Sequence, residues 1–190
     1  MKQIRAYFEH AIQKKINDEE WTLFVSKLSR QEFPKKYILL KEGQTENYLS
    51  FVETGIVRYY IPGLENDLTF TFVFAGNFAS GYNSFLTREP STYQIETLTK
   101  TTLWRITYED LQTIYNETEI GNRIGRQASE DLFLKKSNRE LSLLNETAEQ
   151  RYRNLFVEQP HLIQQIPLKY IASYIGVTPQ ALSRIRKRIS

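Results

Sequence analysis

The chain has 190 residues, 41 % of them hydrophobic and 25 % charged, with a formal net charge of +3, two histidines and no cysteine. This is long enough to bury a real core as one large domain or two small ones, and the composition is that of a soluble globular protein. Zero cysteines exclude a disulfide framework, a thiolate zinc site, a cysteine-bound iron–sulfur cluster and a thiol nucleophile. His10 and His161 lie far apart, so neither a metal nor any other cofactor is expected. No run approaches the roughly 20 apolar residues of a membrane span, and no apolar stretch follows the first five residues, so a cytoplasmic protein without membrane contact is expected.

In chain order, Ile4, Phe8 and Ile12 form one stripe of an opening helix. A second helix starts near Asn17-Asp18-Glu19-Glu20 and carries Trp21, Phe24, Val25 and Leu28 at i, i+3, i+4 and i+7. Its acids fall in the first turn, where the helix dipole favours them. From Glu32 to Thr107 the texture changes to short β-branched and aromatic runs: Tyr37–Leu40, Leu49–Val52, Ile56–Ile61, Leu68–Phe74, Tyr93–Leu98 and Thr101–Thr107. Turn residues such as Glu42-Gly43-Gln44, Glu53-Thr54-Gly55 and Pro62-Gly63 separate them. Short strands at this spacing, with no helical pattern between them, predict an antiparallel sandwich or jelly roll. Phe70, Phe72, Tyr82 and Tyr93 read as core, the alternative being the lining of an apolar cavity.

Helical signals return at Tyr108–Tyr115 and run on from about Glu117 to Leu144, where Ile120, Ile124, Ala128 and Leu132 recur at steps of four beside Gly121 and Gly125. Glycine costs a helix about 1 kcal/mol relative to Ala, so two of them one turn apart point to close approach of another backbone. A partner helix in a parallel homodimer is the simplest candidate, with ordinary packing on the sheet as the alternative. Thr147, with Gln150 three residues on, is an N-cap with its capping box and opens a helix that faces Tyr152, Leu155 and Phe156 inward and ends at Pro160. A domain boundary therefore falls near Asn145.

Charge divides at the same place. Residues 1–150 hold 18 Lys and Arg against 21 Asp and Glu; residues 151–190 hold seven cations against Glu158 alone, a net +6. A basic segment on a mildly acidic body is the electrostatic footprint of a nucleic-acid reader, although charge alone fits a solvated tail as well.

The basic segment carries the most specific pattern in the chain. Pro167 can start a helix, because its missing N–H is among the donors left unsatisfied anyway, and Leu168, Ile171, Ala172 and Ile175 then share one face. Gly176 can take the positive φ of a sharp exit, Thr178 is a good N-cap and Pro179 a good first helical residue. Leu182, Ile185 and Ile189 anchor the second helix, which leaves Gln180, Ser183, Arg184, Lys187 and Arg188 outward. This is a helix-turn-helix whose second helix fits the major groove. Arg184 suits guanine O6 and N7 and Gln180 suits adenine N6 and N7; Thr178, Ser183, Lys187 and Arg188 suit phosphates, with Lys169 and Tyr170 as weaker candidates. A plain helical pair closing a core is the poorer reading.

Taken in this order, the parts resemble the Crp-Fnr superfamily of bacterial transcription regulators, from about Phe33 to Arg188. The residues that carry the resemblance are Gly43, Gly55, Gly76-Asn77-Phe78 and the Ile171–Arg188 stretch. It implies an α+β fold in three parts: a cyclic-nucleotide-binding-like jelly roll over 1–116, a dimerisation helix and hinge over 117–145, and a winged-helix-like helix-turn-helix domain over 146–190. It further implies Thr178, Gln180 and Arg184 as DNA contacts, a homodimer on a palindromic double-stranded operator, and RNA polymerase as a partner. A reduced wing with few backbone contacts is expected, because His161–Ile166 is too short for a full β-wing.

The nucleotide site does not carry over. Aligned without gaps from Gly76, the Gly-Glu pair of nucleotide-binding members falls on Ser80-Gly81 and their Arg-Ser pair on Ser91-Thr92, which leaves only the Thr92 hydroxyl. A phosphate would lose water there with too little in exchange. Any effector pocket that is kept would lie at Ser80, Gly81, Tyr82, Arg88, Ser91 and Thr92, for a small molecule of unknown kind. The reading is thus a homodimeric transcription regulator, not an enzyme, that has lost cyclic-nucleotide binding. A small-molecule-binding jelly roll whose helical tail makes protein contacts is the alternative. A cupin-like enzyme ranks last, because no histidine lies between Ile12 and Pro160.

Overall fold

The computed structural model describes residues 2–189, with Ile120 described by its backbone alone. Two helices open it, α1 (Lys2–Ala11) and α2 (Asp18–Ser26). Strands follow: β1 (Ser29–Phe33), β2 (Ile38–Leu40), β3 (Tyr48–Thr54), β4 (Ile56–Ile61), β5 (Leu68–Phe74) and β6 (Phe78–Ala79). The short helix α3 (Tyr82–Thr87) separates these from β7 (Gln94–Thr97) and β8 (Thr101–Thr107). The rest is helical: α4 (Tyr108–Glu117), α5 (Glu119–Asn145), α6 (Ala148–Glu158), α7 (Pro160–Gln165), α8 (Leu168–Tyr174) and α9 (Pro179–Ile189). The strands form two four-stranded sheets, ordered β1-β8-β3-β6 and β2-β7-β4-β5, the jelly-roll-like arrangement expected of short antiparallel strands.

The chain divides into two compact units. One comprises Met1–Tyr59 and Phe72–Leu132, the other Tyr60–Thr71 and Phe133–Ser190. In the first, Ile4 and Phe8 of α1 and Phe24 of α2 pack with Phe51, Phe85, Ile106, Leu111 and Ile114. Phe8 meets Phe24 edge-on at 5.4 Å and stacks on Phe78 at 5.2 Å. Each large side chain buried this way contributes about 1.5–3 kcal/mol, so the opening stripe is part of the core of this unit. In α2 the Asn17 side chain accepts from Glu20 N–H, the cap that the acid-rich start calls for.

Four elements were not expected. Strand β1, Ser-Arg-Gln-Glu-Phe, is mostly polar because it lies at a sheet edge and pairs only with β8, so no buried face imposes alternation. The two residues of β6 and six of α3 are too short to show a period. The segment expected to hold a reduced wing is instead helix α7, with Pro160 in its first turn and Leu162 buried.

The glycines of α5 also find a different partner from the one expected. A Cβ on Gly121 would lie 2.5 Å from the Ile114 carbonyl oxygen, and one on Gly125 would lie 3.0 Å from the Tyr115 ring. The close neighbour is therefore α4 of the same chain, and the two glycines say nothing about a second copy. Of the four residues read as a stripe, Ile124 packs on the core of the first unit, Leu132 is half-buried, Ala128 is exposed, and the Ile120 side chain is outside the described residues. Gly121→Ala is expected to lower stability by about 1–3 kcal/mol net, because a backbone carbonyl cannot move aside, although Ala gains ~1 kcal/mol of helix propensity. Thermal unfolding of the variant checks this, with Gly125→Ala as the milder control.

Candidate nucleic-acid interface and sandwich interior

In the second unit the C-terminal pattern folds as two helices. Ala172 and Ile175 are fully buried, and Leu182 and Ile185 are buried beneath α9. Gly176 sits at φ +81°, the left-handed region that only glycine occupies without strain. The Thr178 hydroxyl accepts from Ala181 N–H at 3.2 Å and starts α9 with Pro179 as its first residue. Thr147 and Gln150 form the expected capping box at the start of α6.

The outward face of α9 is cationic. Gln180, Ser183, Arg184, Lys187 and Arg188 are all exposed, as are Thr178 and Lys169. Among the described residues, no internal hydrogen bond or ion pair engages the side chains of Gln180, Ser183, Arg184 or Lys187. Arg188 differs, because Glu149 of α6 accepts from its Nε and Nη2 at 3.2 and 3.0 Å while also pairing with Arg153. These bonds, Arg153's first and Arg188's second, hold the Glu149 carboxyl below its usual range. Lys169 rests over the Tyr170 ring at 4.8 Å, and Tyr170 itself is buried.

The end of α8 is held from three sides. Arg139 of α5 donates to the Tyr174 carbonyl and lies 4.0 Å over the Tyr174 ring. Arg151 of α6 donates through Nε to the Ile175 carbonyl at 3.0 Å. The Ser173 hydroxyl donates to the Asp67 carbonyl at 2.6 Å and accepts from Thr69 N–H at 2.7 Å, joining α8 to the β4–β5 connection.

The sandwich interior of the first unit is closed. Leu39, Glu46, Ser50, Ala79, Ser80, Ile95, Leu103 and Arg105 line a cavity of about 10 Å³. That is room for about one water, where a small-molecule site needs roughly 300 Å³ or more. The Glu46 carboxylate fills the start of α3: Oε2 accepts from Gly81 N–H at 3.0 Å and Oε1 from Tyr48 N–H at 2.9 Å. Arg105, 9 % exposed, stacks on Tyr48 at 3.7 Å and donates to Gln31, while its Nε has no partner. Burial lowers the pKa of this guanidinium, and the nearby Glu46 opposes the shift. Burial likewise raises the Tyr59 hydroxyl well above its usual range and pushes Tyr93 up to about 12.

Of the six residues proposed for an effector pocket, only Ser80 lines this cavity, and its hydroxyl donates to the Tyr48 carbonyl. Gly81 is buried with its N–H on Glu46. Tyr82 stacks on Phe85 and meets Ser129 of α5. Arg88 is committed elsewhere: it donates to the Glu46 carbonyl at 2.7 Å and to Asn47, and lies 4.5 Å over Tyr108. Ser91 turns onto the Tyr93 carbonyl, and Thr92 is exposed. Neither Glu46 nor Arg105 stands out in the sequence; two unlike charges in otherwise β-patterned runs are the only signal. A wider cleft of about 460 Å³ lies outside the sandwich, lined by Ile12, Asn122, Arg123, Arg126 and Gln127.

The cyclic nucleotide-binding domain family model matches residues 30–118. No curated protein sequence matches the chain. Among solved structures, the catabolite activator protein of Thermus thermophilus aligns over 94 % of this chain and 86 % of its own at 21 % identity and a TM-score of 0.58. A crp/fnr-family transcriptional regulator from Eubacterium rectale aligns over 91 % and 83 % at 18 % identity and 0.72. Its fold is that of the Crp-Fnr regulators. FixK2 from Bradyrhizobium japonicum agrees, over 85 % and 84 % at 16 % identity and 0.69. These Crp-Fnr neighbours are regulators and not enzymes. Among the described residues no helix is long and apolar enough to cross a membrane, and no three His, Cys, Asp or Glu side chains are grouped to hold a metal.

Proposed function

We propose that the chain is a homodimeric, sequence-specific DNA-binding transcription regulator whose sensor no longer takes a cyclic nucleotide. The observation that carries the reading is α9, which sets Leu182 and Ile185 beneath and Gln180, Arg184 and Lys187 free above, just past a left-handed glycine. Arg184 and Gln180 read base edges; Lys187, Ser183, Lys169 and the Thr178 hydroxyl hold phosphates, and Arg188 joins them once Glu149 releases it. The division into a sensor over 1–116, a dimerisation helix over 117–145 and a reading head over 146–190 supplies the parts in working order, in the cytoplasm and with RNA polymerase as partner. A second copy covers the exposed Phe133, Leu134, Leu141 and Leu144 of α5. Loss of the nucleotide is supported by Glu46, whose carboxylate already takes the Gly81 N–H and would repel a phosphate beside it.

Titrating the protein into a palindromic duplex selected from random DNA tests the reading. Binding should exceed that of a scrambled duplex by ~10³-fold or more and should not change with added cyclic nucleotide. Equal affinity for both duplexes rejects DNA reading, and a nucleotide-dependent shift rejects the closed sensor.

A further inference from the structure

The carbonyls of Tyr174, the last residue of α8, and of Ile175, which caps it, are of the kind every helix end leaves over, and they are met by side chains from two other helices. Arg139 of α5 takes the Tyr174 carbonyl and covers the Tyr174 ring, and Arg151 of α6 takes the Ile175 carbonyl. Arg139 is drawn so far in that its Nε is buried without a partner, and burial lowers the pKa of its guanidinium. A cation accepts that loss of hydration only where its place is fixed by charge-assisted bonding and an aromatic face.

The position of Arg139 on α5 gives this contact its meaning. Leu134, Leu141 and Leu144 are exposed and fall at i, i+7 and i+10, one stripe of a single helix. At about 100° per residue, Arg139 lies roughly 140–160° around the helix from Leu134 and Leu141. The side of the C-terminal half of α5 that carries Leu134, Leu141 and Leu144 is thus left open for a second copy, while Arg139, on the side that also carries the exposed Leu143, grips the turn that leads into α9.

We propose that Arg139 is a positioning residue for operator recognition: it locks the α8–α9 turn to α5 and thereby sets the distance between the two reading helices of a dimer. The inference rests on the dimeric DNA-reading function proposed above. Each protomer would still read its own half-site without Arg139, but the separation demanded of the two half-sites would no longer be sharp.

The experiment compares the full-length protein, Arg139→Ala, Arg139→Lys and Tyr174→Leu on operators whose half-sites are moved by one or two base pairs either way, and on one isolated half-site. The native protein is expected to favour one spacing. Arg139→Ala should lower its preference for that spacing about tenfold or more, the scale of one desolvated cation–π pair with its charge-assisted bond, with half-site affinity retained. Arg139→Lys keeps the charge but not the planar face, and Tyr174→Leu keeps the apolar packing; either carries the same comparison if the alanine variant does not fold. An unchanged spacing preference overturns the proposal, as does an equal loss on the half-site and the full operator, which would mark a merely structural role. Failure of the native protein to bind any duplex overturns the parent reading instead.

Discussion

Arg58→Ala is expected to destabilise the first unit by about 3–5 kcal/mol, enough to leave most small domains marginal. Arg58 is 2 % exposed, and its Nη1 lies 2.8 Å from Glu96 Oε1 on the neighbouring strand. Glu96 is also buried; its other oxygen reaches the half-exposed Lys36 at 3.4 Å. Truncating Arg58 leaves a carboxylate in a dry sheet with one solvent-weakened partner, and the cost of that stranded charge exceeds whatever the pair contributed. The companion variant separates the two: Arg58→Met with Glu96→Leu should recover most of the loss, since apolar residues of similar volume often replace a buried pair at little cost. Both tryptophans, Trp21 and Trp104, lie in this unit, so urea unfolding followed by their fluorescence reads it directly. A loss under 1 kcal/mol for the single variant, at unchanged slope, would show that the pair is wet and dispensable.

Arg184→Ala is expected to lose about 1–3 kcal/mol of discrimination at one base pair of each half-site, while its affinity for scrambled duplex changes far less. The contrast with Lys187→Ala decides between base reading and phosphate holding. Removing a phosphate-holding cation should weaken binding to every sequence alike and flatten the slope of affinity against salt by about one for each phosphate no longer neutralised. Arg188 should hold phosphate more weakly than Lys187, because Glu149 competes for it, and Glu149→Gln should strengthen binding to any duplex. Base-substituted operators, titrated at several salt concentrations, check all of this. Equal loss on all sequences for Arg184→Ala would remove it from the base-reading set.

The helix-turn-helix was legible because its requirements are local. A left-handed turn needs Gly176, the following helix needs a cap at Thr178, and a steep crossing needs Ala172, all within a few residues of one another. The sandwich strands were legible where one face is buried. Strand β1 was not, since a polar edge strand is defined by the neighbour it pairs with and by nothing in its own pattern. The same holds for the sandwich interior. Glu46, Arg105, Arg58 and Glu96 are buried only once folding brings distant runs together, and no spacing along the chain announces it. Gly121 and Gly125 show the intermediate case: the demand for close approach was readable, but which helix approaches is a property of the fold.

In the sandwich interior the Glu46 side chain occupies two backbone amides beside a cavity of about 10 Å³. Shortening Glu46 to glycine would leave a hole the shape of a short carboxylic acid, already provided with the amide donors of Gly81 and Tyr48. Complementation by free propionate would then turn a silent sandwich into one that answers a metabolite, and drift in the reverse direction is a simple route by which such an input is lost.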